Sequence, residues 1–96
     1  VVRDLVFDLT MEEAWNLFLQ QDRKCALTGI PLRFVRAYRD RKAMQTASLD
    51  RKDSNLPYVL SNVQWVHKIV NNMKQDYTEE EFVEWCTLVA DHKRKS

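Results

Sequence analysis

Ser48-Leu49-Asp50-Arg51-Lys52-Asp53-Ser54, followed by Tyr58, Asn62-Val63-Gln64-Trp65-Val66-His67 and Asn71-Asn72-Met73-Lys74, is the stretch that decides the fold of this 96-residue chain. Extended character near Thr46–Arg51 gives way to Asp53-Ser54-Asn55-Leu56-Pro57, a cluster of turn formers. A second strand is expected near Asn62–Trp65. Val66, Ile69, Val70 and Met73 then recur at helical spacing, which predicts a helix from about Val66 to Gln75. Its other face carries His67, Asn71 and Lys74 at i, i+4 and i+7. Strand, turn, strand and short helix would bring Asp50 and Asn71 toward one point.

Outward from this element, both flanks read as capped helices. Thr10-Met11-Glu12-Glu13 has the form of a capping box, and Met11, Ala14, Trp15 and Phe18 form an apolar stripe running to about Gln21. Thr78-Glu79-Glu80-Glu81 repeats the device. It opens a helix whose stripe is Phe82, Trp85, Cys86, Val89 and Ala90 and whose end, His92-Lys93-Arg94-Lys95, suits the C-terminal dipole. Between the flanks, Cys25–Phe34 holds the only Gly and one of two Pro, so two short extended arms joined by a tight turn are expected. Residues 36–46 lack apolar periodicity and should form a basic loop. The resulting expectation is an α+β fold, one domain over 1–96, with a ββα element at about 46–75 flanked by N- and C-terminal helices.

Composition supports folding. A chain this short buries roughly 60–65% of its unfolded surface, so it needs a dense core, and 45% hydrophobic residues with three Trp, four Phe and three Tyr supply one. Trp15, Trp65 and Trp85 are expected in packing rather than in base stacking. The net charge of +1 hides segregation. Residues 1–22 carry one base against five acids, and residues 76–84 carry five acids and no base. Residues 33–53 carry seven bases against three acids, a surplus that suits a phosphate backbone and equally a solvated loop. Cys25 and Cys86 lie far apart, which predicts free thiols and a reducing compartment. No run reaches membrane-spanning length, and Val1-Val2-Arg3-Asp4 lacks the basic start and long apolar core of a signal peptide. These features lead to the expectation of a cytoplasmic protein with no membrane association.

One carboxylate and one amide oxygen, both hard donors, form the ligand set that Mg²⁺ or Mn²⁺ accepts alongside water. Such an ion polarises a phosphate oxygen and stabilises a departing alkoxide. Asn62, at the start of the second strand, is placed to hydrogen-bond across the turn and orient the loop. The competing reading of Asp50 and Asn71 is an ordinary turn Asp and an exposed helix Asn.

Leu49-Asp50-Arg51, Asn62-Val63 and His67-Lys68-Ile69-Val70-Asn71-Asn72-Met73-Lys74 resemble the HNH, or ββα-metal, endonucleases of phages and other mobile elements. The likeness covers 46–75 well and 25–34 more loosely. It implies metal-dependent hydrolysis of DNA phosphodiesters, by cutting or nicking, with Asp50 and Asn71 on the ion and Asn62 as the middle motif residue. Two departures matter. The commoner family pattern places a His base directly after the first ligand, where this chain has Arg51. A guanidinium does not give up its proton in proteins, so Arg51 cannot serve as that base and can only bind phosphate. His67 is the replacement candidate, kept neutral if it sits at a helix N-terminus; Tyr58 and Asp53 are weaker ones. Many members also carry two Cys-x-x-Cys pairs, whose equivalents here are Cys25 and Thr28, then His67 and Val70. Only two of those four could ligate, so no structural zinc is expected, and Leu27, Ile30, Trp65 and Val70 should fill the space.

Arg39, Arg41, Lys42, Arg51 and Lys74 are the expected DNA contacts, through phosphates rather than base edges. Two further readings stand beside the nuclease. One is a non-catalytic nucleic-acid-binding module on the same scaffold, and the other is a protein-interaction domain whose acidic helices meet a basic partner.

Overall fold

A computed structural model describes residues 7–34 and 45–95. Arg36, Arg39, Arg41 and Lys42, which carry most of the expected basic loop, lie outside the described residues. The elements run β1 (Phe7–Asp8), α1 (Met11–Gln20), β2 (Ala47–Arg51), β3 (Tyr58–Val59), a 3₁₀ turn (Leu60–Asn62), β4 (Val63–His67), α2 (Lys68–Lys74) and α3 (Glu79–Arg94). This is an α+β architecture in which helices flank a strand pair. No helix among the described residues is long and apolar enough to cross a membrane.

Both expected capping boxes form. Thr10 Oγ1 accepts from the Glu13 N–H while Glu13 Oε1 accepts from the Thr10 N–H, each at 3.0 Å. Thr78 and Glu81 make the same reciprocal pair at 3.2 and 3.1 Å. Each box satisfies two donors that a helix start leaves open, and a cap of this kind contributes about 1 kcal/mol.

β2 and β4 pair antiparallel, with Ala47 opposite His67, Leu49 opposite Trp65 and Asp50 opposite Gln64. Side chains alternate between faces, so Ala47, Leu49, Trp65 and His67 share one side while Ser48, Asp50, Gln64 and Val66 share the other. The first face meets α1. Trp65 is buried there beside Ala14 and Phe18, and its Nε1 donates to the Ala14 carbonyl at 2.8 Å. Phe34 packs edge-on against Trp65 at 5.2 Å and against Trp15 at 5.5 Å, which makes an aromatic cluster the centre of the core. The second face meets α2.

Residues 24–31 close as expected. Lys24 and Pro31 form an antiparallel bridge, and Gly29, at φ 77°, supplies the left-handed turn position. Cys25 is buried against the core, and Ala26 N–H donates to Trp65 O at 2.9 Å. Gln21 adds a contact that sequence reading did not foresee. Its amide donates to Trp65 O and accepts from Trp65 N–H, both at 2.9 Å, so one side chain completes the backbone pairing on the outer edge of β4. The short parallel pair of β1 with β3 was likewise not anticipated.

Two expectations change. The second strand extends through His67, so α2 begins at Lys68 rather than near Val66; Val66, fully buried, belongs to the strand. The stripe of α3 is not buried. No side chain of that helix is, and Trp85 and Val89 are 59% and 61% exposed. An apolar periodicity fixes which residues share a face, but a second surface has to meet that face before it becomes core.

Candidate functional site

Ser48 and Asp50 face α2 because their strand positions share parity, and Asn71 and Lys74 face them from adjacent positions on one side of a helix turn. Asn71 Nδ2 donates to Ser48 Oγ at 2.7 Å, which leaves Oδ1 as the acceptor end of that amide. Asp50, Arg51, Ser54, Tyr58, Asn71 and Asp76 then line a polar hollow of about 110 Å³. The strands and helix therefore bring the expected carboxylate and amide to one cavity.

The carboxylate is more heavily engaged than the sequence suggested. Asp50 is only 4% exposed, and its Oδ1 accepts from Lys74 Nζ at 3.1 Å. Its Oδ2 accepts from Gln64 Nε2 at 3.1 Å, and that nitrogen also donates to Glu79 Oε1 at 3.0 Å. Lys74 is fully buried and donates a second time, to Arg51 O at 2.9 Å. Lys74 was expected on DNA and is not at the surface. Its alkyl stem reaches inward from α2, and its ammonium ends among oxygens that would otherwise stay unpaired.

Asn62 spans the hairpin loop. Its Oδ1 accepts from Asp53 N–H at 3.1 Å, and Nδ2 donates to the carbonyls of Asp53 and Pro57 at 3.0 Å and of Leu56 at 3.3 Å. Lys52 N–H adds a bond to Asn62 O at 2.8 Å. A buried amide that meets four backbone groups of one turn fixes its shape. Arg51 braces the same loop from the other side: Nη1 donates to the carbonyls of Ser54 and Leu56 at 2.8 and 3.1 Å, and the guanidinium stacks 4.8 Å from the Tyr58 ring centre. Arg51 therefore sits at the hollow, half-buried, with part of its fork spent on the loop.

His67 is placed elsewhere. It is the N-cap of α2, with Nδ1 accepting from Ile69 N–H at 3.1 Å, and the strand register sets it beside Ala47 on the face opposite Asp50. The expected alignment with Asn71 assumed that the helix had already begun at His67, and the strand claims that residue instead. Asp76 is the residue sequence reading missed. The chain leaves α2 through Gln75 at φ 50°, and Ser54 Oγ donates to the Asp76 carbonyl, which draws Asp76 to the hollow. An acidic residue just past a helix end was the available signal.

Cys25 and His67 are neighbours. Cys25 Sγ accepts from the backbone N–H of Thr28 and of His67, each at 3.4 Å. Burial pushes the thiol pKa up, while hydrogen bonds from the Thr28 side chain and from the backbone of His67, Leu27 and Thr28 pull it down and prevail. Trp65 is buried beside Cys25 and Leu27 packs against them, whereas Ile30 is 45% exposed.

For a divalent ion, the hollow offers hard oxygens of the right type. Each Asp50 oxygen has accepted one hydrogen bond and retains acceptor capacity, and Asn71 presents an amide oxygen. The Lys74 ammonium offsets the carboxylate charge and so weakens the attraction of Asp50 for a cation. Among the described residues no group of three His, Cys, Asp or Glu side chains could hold a metal by itself.

No protein-family model, curated protein or solved structure matches this chain.

Proposed function

We propose that this chain is an HNH-like, metal-dependent DNA endonuclease or nickase. The supporting observation is that a β-hairpin carboxylate, Asp50, and a helix amide, Asn71, line one polar hollow. Mg²⁺ or Mn²⁺ held by those two oxygens would supply Lewis-acid stabilisation of the phosphate and its departing oxygen. Gln64 and Lys74 fix the orientation of Asp50, and Ser48 fixes that of Asn71. Asn62 holds the loop that forms the hollow's wall. Arg51 contributes positive charge for a phosphate oxygen. The proton acceptor is drawn from the hollow's own lining, where Asp76 and Tyr58 lie; His67 faces away from it.

The second reading is a non-catalytic nucleic-acid-binding module, favoured by Arg51 standing where a base is expected and by the Asp50–Lys74 ion pair. Plasmid nicking with and without Mn²⁺, alongside a DNA-binding titration at two salt concentrations, separates the readings. The nuclease shows divalent-dependent nicking that Asn71→Ala abolishes without loss of fold. Salt-sensitive binding with no cleavage in any divalent ion establishes the module instead. Equal nicking by the wild type and Asn71→Ala removes the hollow from the mechanism.

A further inference from the structure

α3 is sixteen residues long and buries none of its side chains. Trp85 and Val89, on one face, are 59% and 61% exposed, and they continue onto Met73 and Tyr77, which are 58% and 50% exposed. With Phe82 these residues line an apolar groove of about 360 Å³ along the helix. Single exposed hydrophobics are ordinary, whereas a continuous run with a tryptophan at its centre marks a contact surface.

The charges of α3 indicate what covers it. Glu79, Glu80, Glu81 and Glu84 occupy the first half, and Lys93, Arg94 and the C-cap Lys95 close the second, where Asp91 is the one acid and pairs with Arg94 at 3.7 Å. The segregation complements the dipole of the helix itself. It also makes the helix complementary to its own reverse: a parallel copy would set acid on acid and base on base, whereas an antiparallel copy sets each acidic end on a basic one. A two-fold axis across the helix imposes the antiparallel arrangement. Centring that axis on Thr87 sets Trp85 opposite Val89 of the second copy and Phe82 opposite His92. In that register Glu79 and Glu81, which flank the apolar seam, can approach Lys93 and Lys95 of the second copy, whereas Glu80 and Arg94 point away from it. The spacing of Phe82, Trp85 and Val89, three and four residues apart, is the seam of an antiparallel helix pair.

We propose that α3 is the two-fold interface of a homodimer of this chain, with its groove filled by α3 of the second copy. None of the groove residues lines the hollow, and only Glu79 touches its network, through Gln64, so variants in the groove test this assignment separately from the nuclease reading.

Sedimentation velocity of the full chain over about 1–100 µM, the window of micromolar association, tests it. The expected mass rises to twice the 11.5 kDa of one chain. Trp85→Glu should weaken association at least tenfold with helix content unchanged in circular dichroism, since the side chain is exposed in the single chain. Reversing Lys93 and Lys95 to Glu, which leaves the Thr78–Glu81 capping box and the Glu79–Gln64 bond intact, should also give monomers. A monomer throughout the range, as when another segment or protein covers the groove, overturns the proposal. So does a dimer indifferent to Trp85→Glu or to the reversal of Lys93 and Lys95.

Discussion

Replacing Lys74 by Met tests the centre of the structure. The substitution keeps the length and most of the volume of the side chain but removes an ammonium that is fully buried, 3.1 Å from Asp50 Oδ1 and 2.9 Å from Arg51 O. What remains is a carboxylate, 4% exposed, with Gln64 as its other donor among the described residues, together with a backbone carbonyl that has lost the ammonium. Breaking a buried pair from one side costs about 3–5 kcal/mol. A domain of this length has on the order of 5–14 kcal/mol in total, so Lys74→Met should remove a large fraction of its stability. Asp50→Leu should be comparably harmful, because it strands the ammonium. The double variant Asp50→Leu with Lys74→Met removes both charges, and it should be more stable than either single variant, with a coupling of at least about 2 kcal/mol. Urea unfolding followed by tryptophan fluorescence reads all four proteins, since Trp65 is buried in the adjoining core. If Lys74→Met costs less than about 1 kcal/mol, or if the single effects simply add, the ammonium is not buried against Asp50 and the account of the site is wrong. The result also governs how nicking assays are interpreted. Lost cleavage in an Asp50 variant reports on metal binding only when the fold is shown to survive, which is why Asn71→Ala is the cleaner probe.

Asn62→Ala removes one acceptor and two N–H donors that together meet four backbone groups at Asp53, Leu56 and Pro57, and it should cost about 2–4 kcal/mol by urea unfolding, with faster amide exchange over residues 53–57. Wild-type exchange rates in that loop after substitution would show that Arg51 alone holds it. Thiol labelling under native conditions should modify Cys86, which is partly exposed, well before Cys25, which is 3% exposed and protected although its hydrogen bonds favour the thiolate. Mass spectrometry of the labelled peptides decides the order, and equal rates would mean that the turn at residues 25–29 opens freely.

The ββα order, both capped helix starts and the placement of Asp50 and Asn71 along one hollow were legible in the sequence, because each follows from local chemistry. Capping residues bond within one turn, strand parity fixes faces, and turn formers fix where the chain reverses. Asn62 as the loop's anchor was legible for the same reason. The position of His67 was not. Val66 and His67 fit either the end of a strand or the start of a helix, and the pairing of Val66 with Ser48, together with the Thr46 carbonyl that accepts from Lys68 N–H, settled the boundary. Lys74 illustrates the same limit at a single side chain. A lysine on the polar side of a short helix reads as a surface cation until Asp50 and Arg51 O arrive from the neighbouring strand and make burial favourable.

The sequence by itself determined which residues are extended, which are helical and which share a face, since these depend on neighbours a few positions away. Tertiary structure alone decided whether a face would be covered, which way a boundary residue would turn, and whether a charge would be paired inside or left in water. Trp85 and Trp65 show the difference. Both lie in apolar patterns, yet α1 covers one and the other stays exposed, because burial requires a second surface that the pattern of one segment cannot specify.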